Sequence, residues 1–171
     1  MTRTVLALLL ALAFAGGARA QGTAAPAPDE AMDLVTRAAR LYGAGNCADA
    51  LPLTEKAAAL LRARDANGSA DLGMALMFQG LCLKKLTRAS EAERSYRDAI
   101  DIFEKVQGPN GRDLAVALDN LASLYVTLDR LKEAEPLRLR ALQIFRSTLD
   151  PLHPSIATAL GNLAVLYQFQ G

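Results

Sequence analysis

Apolar residues along this chain recur at helical spacing, and the whole pattern of apolar, small and polar positions then returns 42 residues later with no gap. Leu34, Leu76, Leu118 and Leu160 stand in register, as do Leu41, Leu83, Tyr125 and Tyr167. Within each period the spacing draws two amphipathic helices. First helices are expected over residues 29–42, 70–86, 113–128 and 155–169, and second helices over 47–64, 89–106 and 131–149. Turn-forming residues separate them at 43–46, 67–69, 108–111 and 150–154. Asp113 and Ser155 are read as N-caps, because their side-chain oxygens suit the unpaired amides of a first helical turn. The short connections make each pair an antiparallel hairpin, and no strand is required.

Small residues occupy one position of every first helix (Ala38, Gly80, Ala122, Ala164) and two positions of every second helix (Ala50, Ala92, Ala134 and Ala57, Ala99, Ala141). Side chains this small let two helix axes approach closely while neighbouring Leu, Ile, Phe and Tyr fill the seam. A unit of this length cannot bury its apolar face alone and must stack on its neighbours, which marks an all-α solenoid.

The residues then carry a specific resemblance. Residues 118–154 read LDNLASLYVTLDRLKEAEPLRLRALQIFRSTLDPLHP, and LGNLAVLYQFQG reopens the pattern at 160–171. This resembles the 42-residue tetratricopeptide repeat of the kinesin light chain type, with its N-L-A-x-L-Y, A-E-P-L and A-L elements and closing H-P loop. Residues 91–108, EAERSYRDAIDIFEKVQG, keep part of the pattern, with Phe78 where later units have Asn120 and Asn162. The first unit is the most divergent, as expected of a cap. HEAT and armadillo repeats share this range of periods, but no third periodic segment is present for an armadillo unit. The resemblance implies a right-handed superhelical solenoid of antiparallel helix hairpins, about three and a half repeats long. Its units would span about 29–69, 70–111, 112–153 and an incomplete 154–171.

The resemblance also implies where a partner lies: extended peptides occupy the concave face lined by first helices. By register that face holds Val35 and Ala39, then Met77, Phe78, Leu81, Lys84 and Lys85. The third unit adds Asp119, Asn120, Ser123, Val126 and Thr127, and the fourth Asn162, Val165, Gln168 and Phe169. Asn120 and Asn162, one repeat apart, offer a donor and an acceptor each to a peptide backbone. The same amides could instead satisfy groups between repeats, and the lysines could be a solvated face. The partner expected is a protein or peptide of unknown identity.

Residues 1–20 do not belong to this pattern. Arg3, an apolar run from Val5 to Ala15 and the small-x-small site Ala18-Arg19-Ala20 read as a secretory signal cleaved after Ala20. The apolar run is shorter than the roughly 20 residues of a spanning helix, and Gln21 rather than Cys follows it. Residues 21–28, QGTAAPAP, read as an Ala/Pro linker. A bacterial periplasmic or secreted protein with no stable membrane anchor is therefore expected. The last helix is expected to expose part of its apolar stripe, including Leu163 and Tyr167. Three explanations stay open: a longer protein whose repeat arm serves an enzyme or signalling domain, a homodimer or self-assembling structural repeat formed through that helix, or an untidy cap.

Charge adds an exclusion. The chain carries a formal +1, or −1 once Arg3 and Arg19 leave with the signal. It has no basic footprint for nucleic acid. Chemistry is not expected. The one histidine, His153, lies in an inter-repeat turn, with no nucleophile or ligand set converging on it. No phosphate loop or serine elbow is present, and no cofactor is expected. Glu91, Glu93, Glu133 and Glu135 are read as solvated helix-start carboxylates. Cys47 and Cys82 are the only cysteines; register puts them on adjoining helices, where either a disulfide or two free thiols would fit.

Overall fold

The computed structural model describes residues 28–171, so the expected signal and nearly all of the linker lie outside the described residues. Seven helices follow one another: α1 Pro28–Gly43, α2 Cys47–Arg64, α3 Ala70–Lys85, α4 Ala89–Gln107, α5 Arg112–Thr127, α6 Leu131–Thr148 and α7 Pro154–Gln170. Among the described residues there is no strand. Each helix packs on its neighbours in sequence, forming a solenoid of antiparallel hairpins, and α1 also packs on α3 and α3 on α5. The first helices therefore lie closest together and line the inner curve, while the second helices fan outward.

The repeat extends to the backbone of the turns. Gly45, Thr87 and Asp129, each 42 residues from the next, have positive φ of 80°, 61° and 58°. In each case the following amide reaches back five residues: Asn46 to the Leu41 carbonyl at 2.8 Å, Arg88 to Leu83 at 2.9 Å and Arg130 to Tyr125 at 2.9 Å. This is the Schellman closure, which requires a left-handed residue just past the helix and satisfies carbonyls that the helix leaves open.

The seams are built on the small residues. Ala50, Ala92 and Ala134 are fully buried, as are Ala57, Ala99 and Ala141. One register of the second helices is buried in every unit although its residues differ, at Thr54, Tyr96 and Arg138. A Cβ on Gly80 would lie 2.7 Å from the Tyr96 ring, so the bulkiest rigid partner stands against the residue with no side chain. Gly73 is constrained in the same way by Phe103, at 2.6 Å.

Two expectations are corrected. Neither Asp113 nor Ser155 is an N-cap: α5 starts one residue earlier, after Gly111, and α7 is capped by His153. Pro154 fits the first helical position, and this moves the cap to the residue before it. Asp113 instead accepts a hydrogen bond from Gln107 Nε2 at 2.6 Å. In α7, Leu163 is only 6% exposed, while Leu160 and Tyr167 are 43% and 46% exposed. With Leu166, Leu163 lies on the side turned to α6, the only helix with which α7 makes an extensive seam among the described residues. Tyr167 is exposed as expected.

Candidate functional site

The inner wall divides into an aromatic end and a polar centre. At the aromatic end, Met77, Phe78 and Leu81 are half-buried against the core edge. Tyr42 meets Phe78 edge to face, with centroids 6.4 Å apart, and the Lys85 ammonium lies 5.3 Å from the Tyr42 ring. A cation above an aromatic face is held by the ring quadrupole, so Lys85 is placed rather than loose.

The polar centre joins three repeats. Lys84 on α3 donates to Ser123 Oγ on α5 at 2.6 Å. Asn162 on α7 donates its amide to Asp119 Oδ2 on α5 at 2.8 Å. Arg138, from the middle of α6, is 5% exposed and reaches beneath both helices. Its Nη1 donates to the Asn162 backbone carbonyl, and its Nε lies 3.9 Å from Asp119 Oδ1. That nitrogen and that oxygen are buried without a hydrogen-bond partner among the described residues.

Burial sets the proton affinities here. It pushes the Asp119 carboxyl upward, against the pull of Arg138, Asn162 and Lys84. It pushes Lys84 downward, helped by the Arg138 charge and opposed by Asp119. Desolvation of each charge is only partly offset by its neighbours, as in most buried ion clusters.

The two asparagines are therefore not equivalent. Because the Asp119 carboxylate only accepts, it fixes the Asn162 NH2 toward itself and leaves the carbonyl oxygen as that amide's free group. Asn120 forms no side-chain hydrogen bond among the described residues. It lines a cavity of about 250 Å3 between α5 and α7, with Val116, Phe145, Ser155 and Thr158. Thr127 is exposed, with its hydroxyl donating to the Leu124 carbonyl at 2.6 Å. Val165 and Phe169 are 44% and 63% exposed on α7. Phe169 borders a separate depression with residues 129–133, so it is not gathered with the polar centre.

A second network corrects the reading of Glu93 as a solvated carboxylate. It receives hydrogen bonds from Arg130 at 2.7 Å, Tyr125 at 2.8 Å and Arg97 at 3.0 Å. Burial alone would raise its pKa, but these donors outweigh that and hold it at about 2. The Tyr–Glu contact repeats one unit on, from Tyr167 to Glu135 at 3.3 Å. Arg88 with Glu91 and Arg130 with Glu133 form matching two-pronged pairs at the starts of α4 and α6.

The lone histidine is structural in its contacts: its Nδ1 accepts from the Ser155 amide at 3.2 Å. Among the described residues no three His, Cys, Asp or Glu side chains gather as a metal site. No described helix is long and apolar enough to cross a membrane. Cys47 and Cys82 are both buried and unbridged.

Sequence reasoning overlooked Arg138 and misread Glu93 as solvated. Arg138 hides in the run LRLRAL, where alternate arginines look like a solvated face, yet its register partners Thr54 and Tyr96 are core positions. That comparison was the available signal.

A family model described as tetratricopeptide repeat matches residues 71–137 and 113–171. Among solved structures, the chain is similar to BtubC (BKLC) from P. vanneervenii, with 21% identity and a TM-score of 0.76 over 82% of this chain. It spans 56% of the length of that protein. It is also similar to TPR-like repeats of kinesin light chain type from Podosopora anserina, at 20% identity and a TM-score of 0.74. That likeness covers 85% of this chain and 69% of the other. No curated protein sequence matches it.

Proposed function

Because this chain belongs to the tetratricopeptide repeat family, we propose that it is an exported, non-catalytic interaction module that holds an extended peptide of a partner protein along its inner wall. The observation that carries this reading is the cavity between α5 and α7, where Asn120 keeps an uncommitted amide beside Val116 and Phe145. An amide with both functions free, set in a partly apolar cleft, suits a peptide backbone and an apolar side chain next to it. Phe78, Leu81 and the placed Lys85 extend the wall toward the first unit. Export rests on the pattern of residues 1–20 and places the module in the periplasm or outside the cell.

Selection of peptides from a random display library on the intact chain, followed by calorimetric titration of the winner, tests the groove. Asn120→Ala is expected to weaken binding about tenfold, the scale of one or two hydrogen bonds. Asn162→Ala is the less clean probe, since it also strips Asp119 of its donor. Peptides that bind Asn120→Ala and Phe78→Ala as tightly as the parent would remove the reading.

A second reading, association of two copies through α7, is favoured by one observation. Leu160 and Tyr167, seven residues apart and so on one face, are exposed on a helix with no charged residue, so two copies can meet there without repulsion. Light scattering at several concentrations separates the readings. A constant monomer mass removes the second.

A further inference from the structure

Cys47 opens α2 and Cys82 lies in the last turn of α3, the helices that join the first hairpin to the second. Their placement follows from the repeat. One unit on, the same registers are Ala89 at the start of α4 and Leu124 in α5, and both line one small cavity at that joint. At the first joint the space holds two sulfurs. Cys47 and Cys82 are 3% and 0% exposed within the same core cluster, with the thiols against each other. The Tyr96 hydroxyl is also buried without a partner among the described residues.

We propose that Cys47 and Cys82 form a reversible disulfide site, oxidised by exchange with a low-molecular-weight or protein disulfide, that fastens the first hairpin to α3. It stands independently of the peptide groove. Cys47 is the entry point, because it adjoins the exposed turn at residues 43–46. Its sulfur, deprotonated, attacks one sulfur of the donor disulfide; that S–S bond breaks, one donor thiolate leaves, and a mixed disulfide remains. Cys82 sulfur, having lost its proton, then attacks the Cys47 sulfur and releases the second donor thiolate. Two protein thiols are oxidised to one disulfide, the donor is reduced to two thiols, and the two protons end on the released thiolates.

Burial and the neighbouring Cys47 push the Cys82 thiol up to about 12. Cys82 acts second because Cys47, and not Cys82, adjoins the exposed turn. Since neither sulfur is accessible in the closed fold, exchange requires local opening at the joint. The closed fold would then shield the finished bond.

The full chain, equilibrated in mixtures of reduced and oxidised glutathione, denatured in iodoacetamide and weighed, tests this. The expected product in oxidised buffer is a monomer lighter by two hydrogens and without alkylation, returning to two alkylated cysteines in reduced buffer. Cys47→Ala and Cys82→Ala are expected to lose that product and to carry an alkyl or glutathionyl group on the remaining thiol. Hydrogen exchange is expected to slow in α1 and α2 on bridging and to stay unchanged in α7. Two alkylatable cysteines after equilibration in oxidised buffer, or a glutathione adduct or interchain dimer of the parent as the end product, would overturn the proposal.

Discussion

A charge pair under the inner wall decides how the third unit differs from the second. Arg138 stands where α4 has Tyr96, and Asp119 stands where α3 has Met77. Removing one member leaves the other desolvated without its partner, which is costlier than removing both. Asp119→Met alone and Arg138→Met alone are each expected to destabilise by about 3 kcal/mol in urea unfolding. The double change replaces both charges by apolar side chains of similar length and should recover most of the loss. Additive losses would mean that the two side chains act separately. Glu93 gives a residue-scale prediction in pH. Its folded pKa of about 2 lies below the ordinary carboxylate value of 4.5, so the stability it confers is present above pH 4.5 and fades as pH falls toward 2. Glu93→Gln should be less stable than the parent at pH 7 by about 2 kcal/mol, and the difference should shrink between pH 5 and about 2. Thermal unfolding of both proteins across that range checks the sign; a gap that does not narrow would assign the contribution to packing.

At the scale of the element, the turns within hairpins show one backbone solution carried by three different residues. Gly45 meets the left-handed conformation without steric cost, whereas Thr87 at φ 61° is β-branched and Asp129 at φ 58° has only a short polar side chain. Thr87→Gly is expected to stabilise by about 1 kcal/mol, the relieved strain exceeding the added freedom of the unfolded chain. Gly45→Thr should destabilise by a similar amount, about 1 kcal/mol. Denaturant midpoints measured at constant slope decide it. Helix existence and pairing were readable because the 42-residue period repeats every constraint in register. The caps were not, for a local reason. Pro154 moved the start of α7 onto His153, a residue with a ring nitrogen in place of the usual oxygen. Gly111 precedes α5 with no side chain to cap it.

For the whole molecule, the same period that made the fold legible concealed the site, because averaging over units keeps what is common and hides what differs. Ala50, Ala92 and Ala134 announced the seam; Arg138 and Asp119 reach Asn162 of the next repeat from positions where the other units carry other residues. Leu163 was assigned to the wrong side of α7 because the helical period alone does not say which apolar residues face α6, and only the arrangement of neighbours does. That arrangement also grades stability along the solenoid. Helices α3 and α5 are each gripped by second helices on both sides, whereas α7 has its main seam with α6 alone. In a one-dimensional stack the cost of opening a helix is the sum of its interfaces, so α7 should open without the rest. Amides of residues 154–170 are expected to exchange at least about tenfold faster than those of residues 112–127, after correction for intrinsic rates. Docking of a protein on Leu160 and Tyr167 should erase that difference, because it supplies a second interface. Equal protection of α5 and α7 in the isolated monomer would mean that α7 unfolds only with the whole chain, and the nearest-neighbour description of this solenoid would fail.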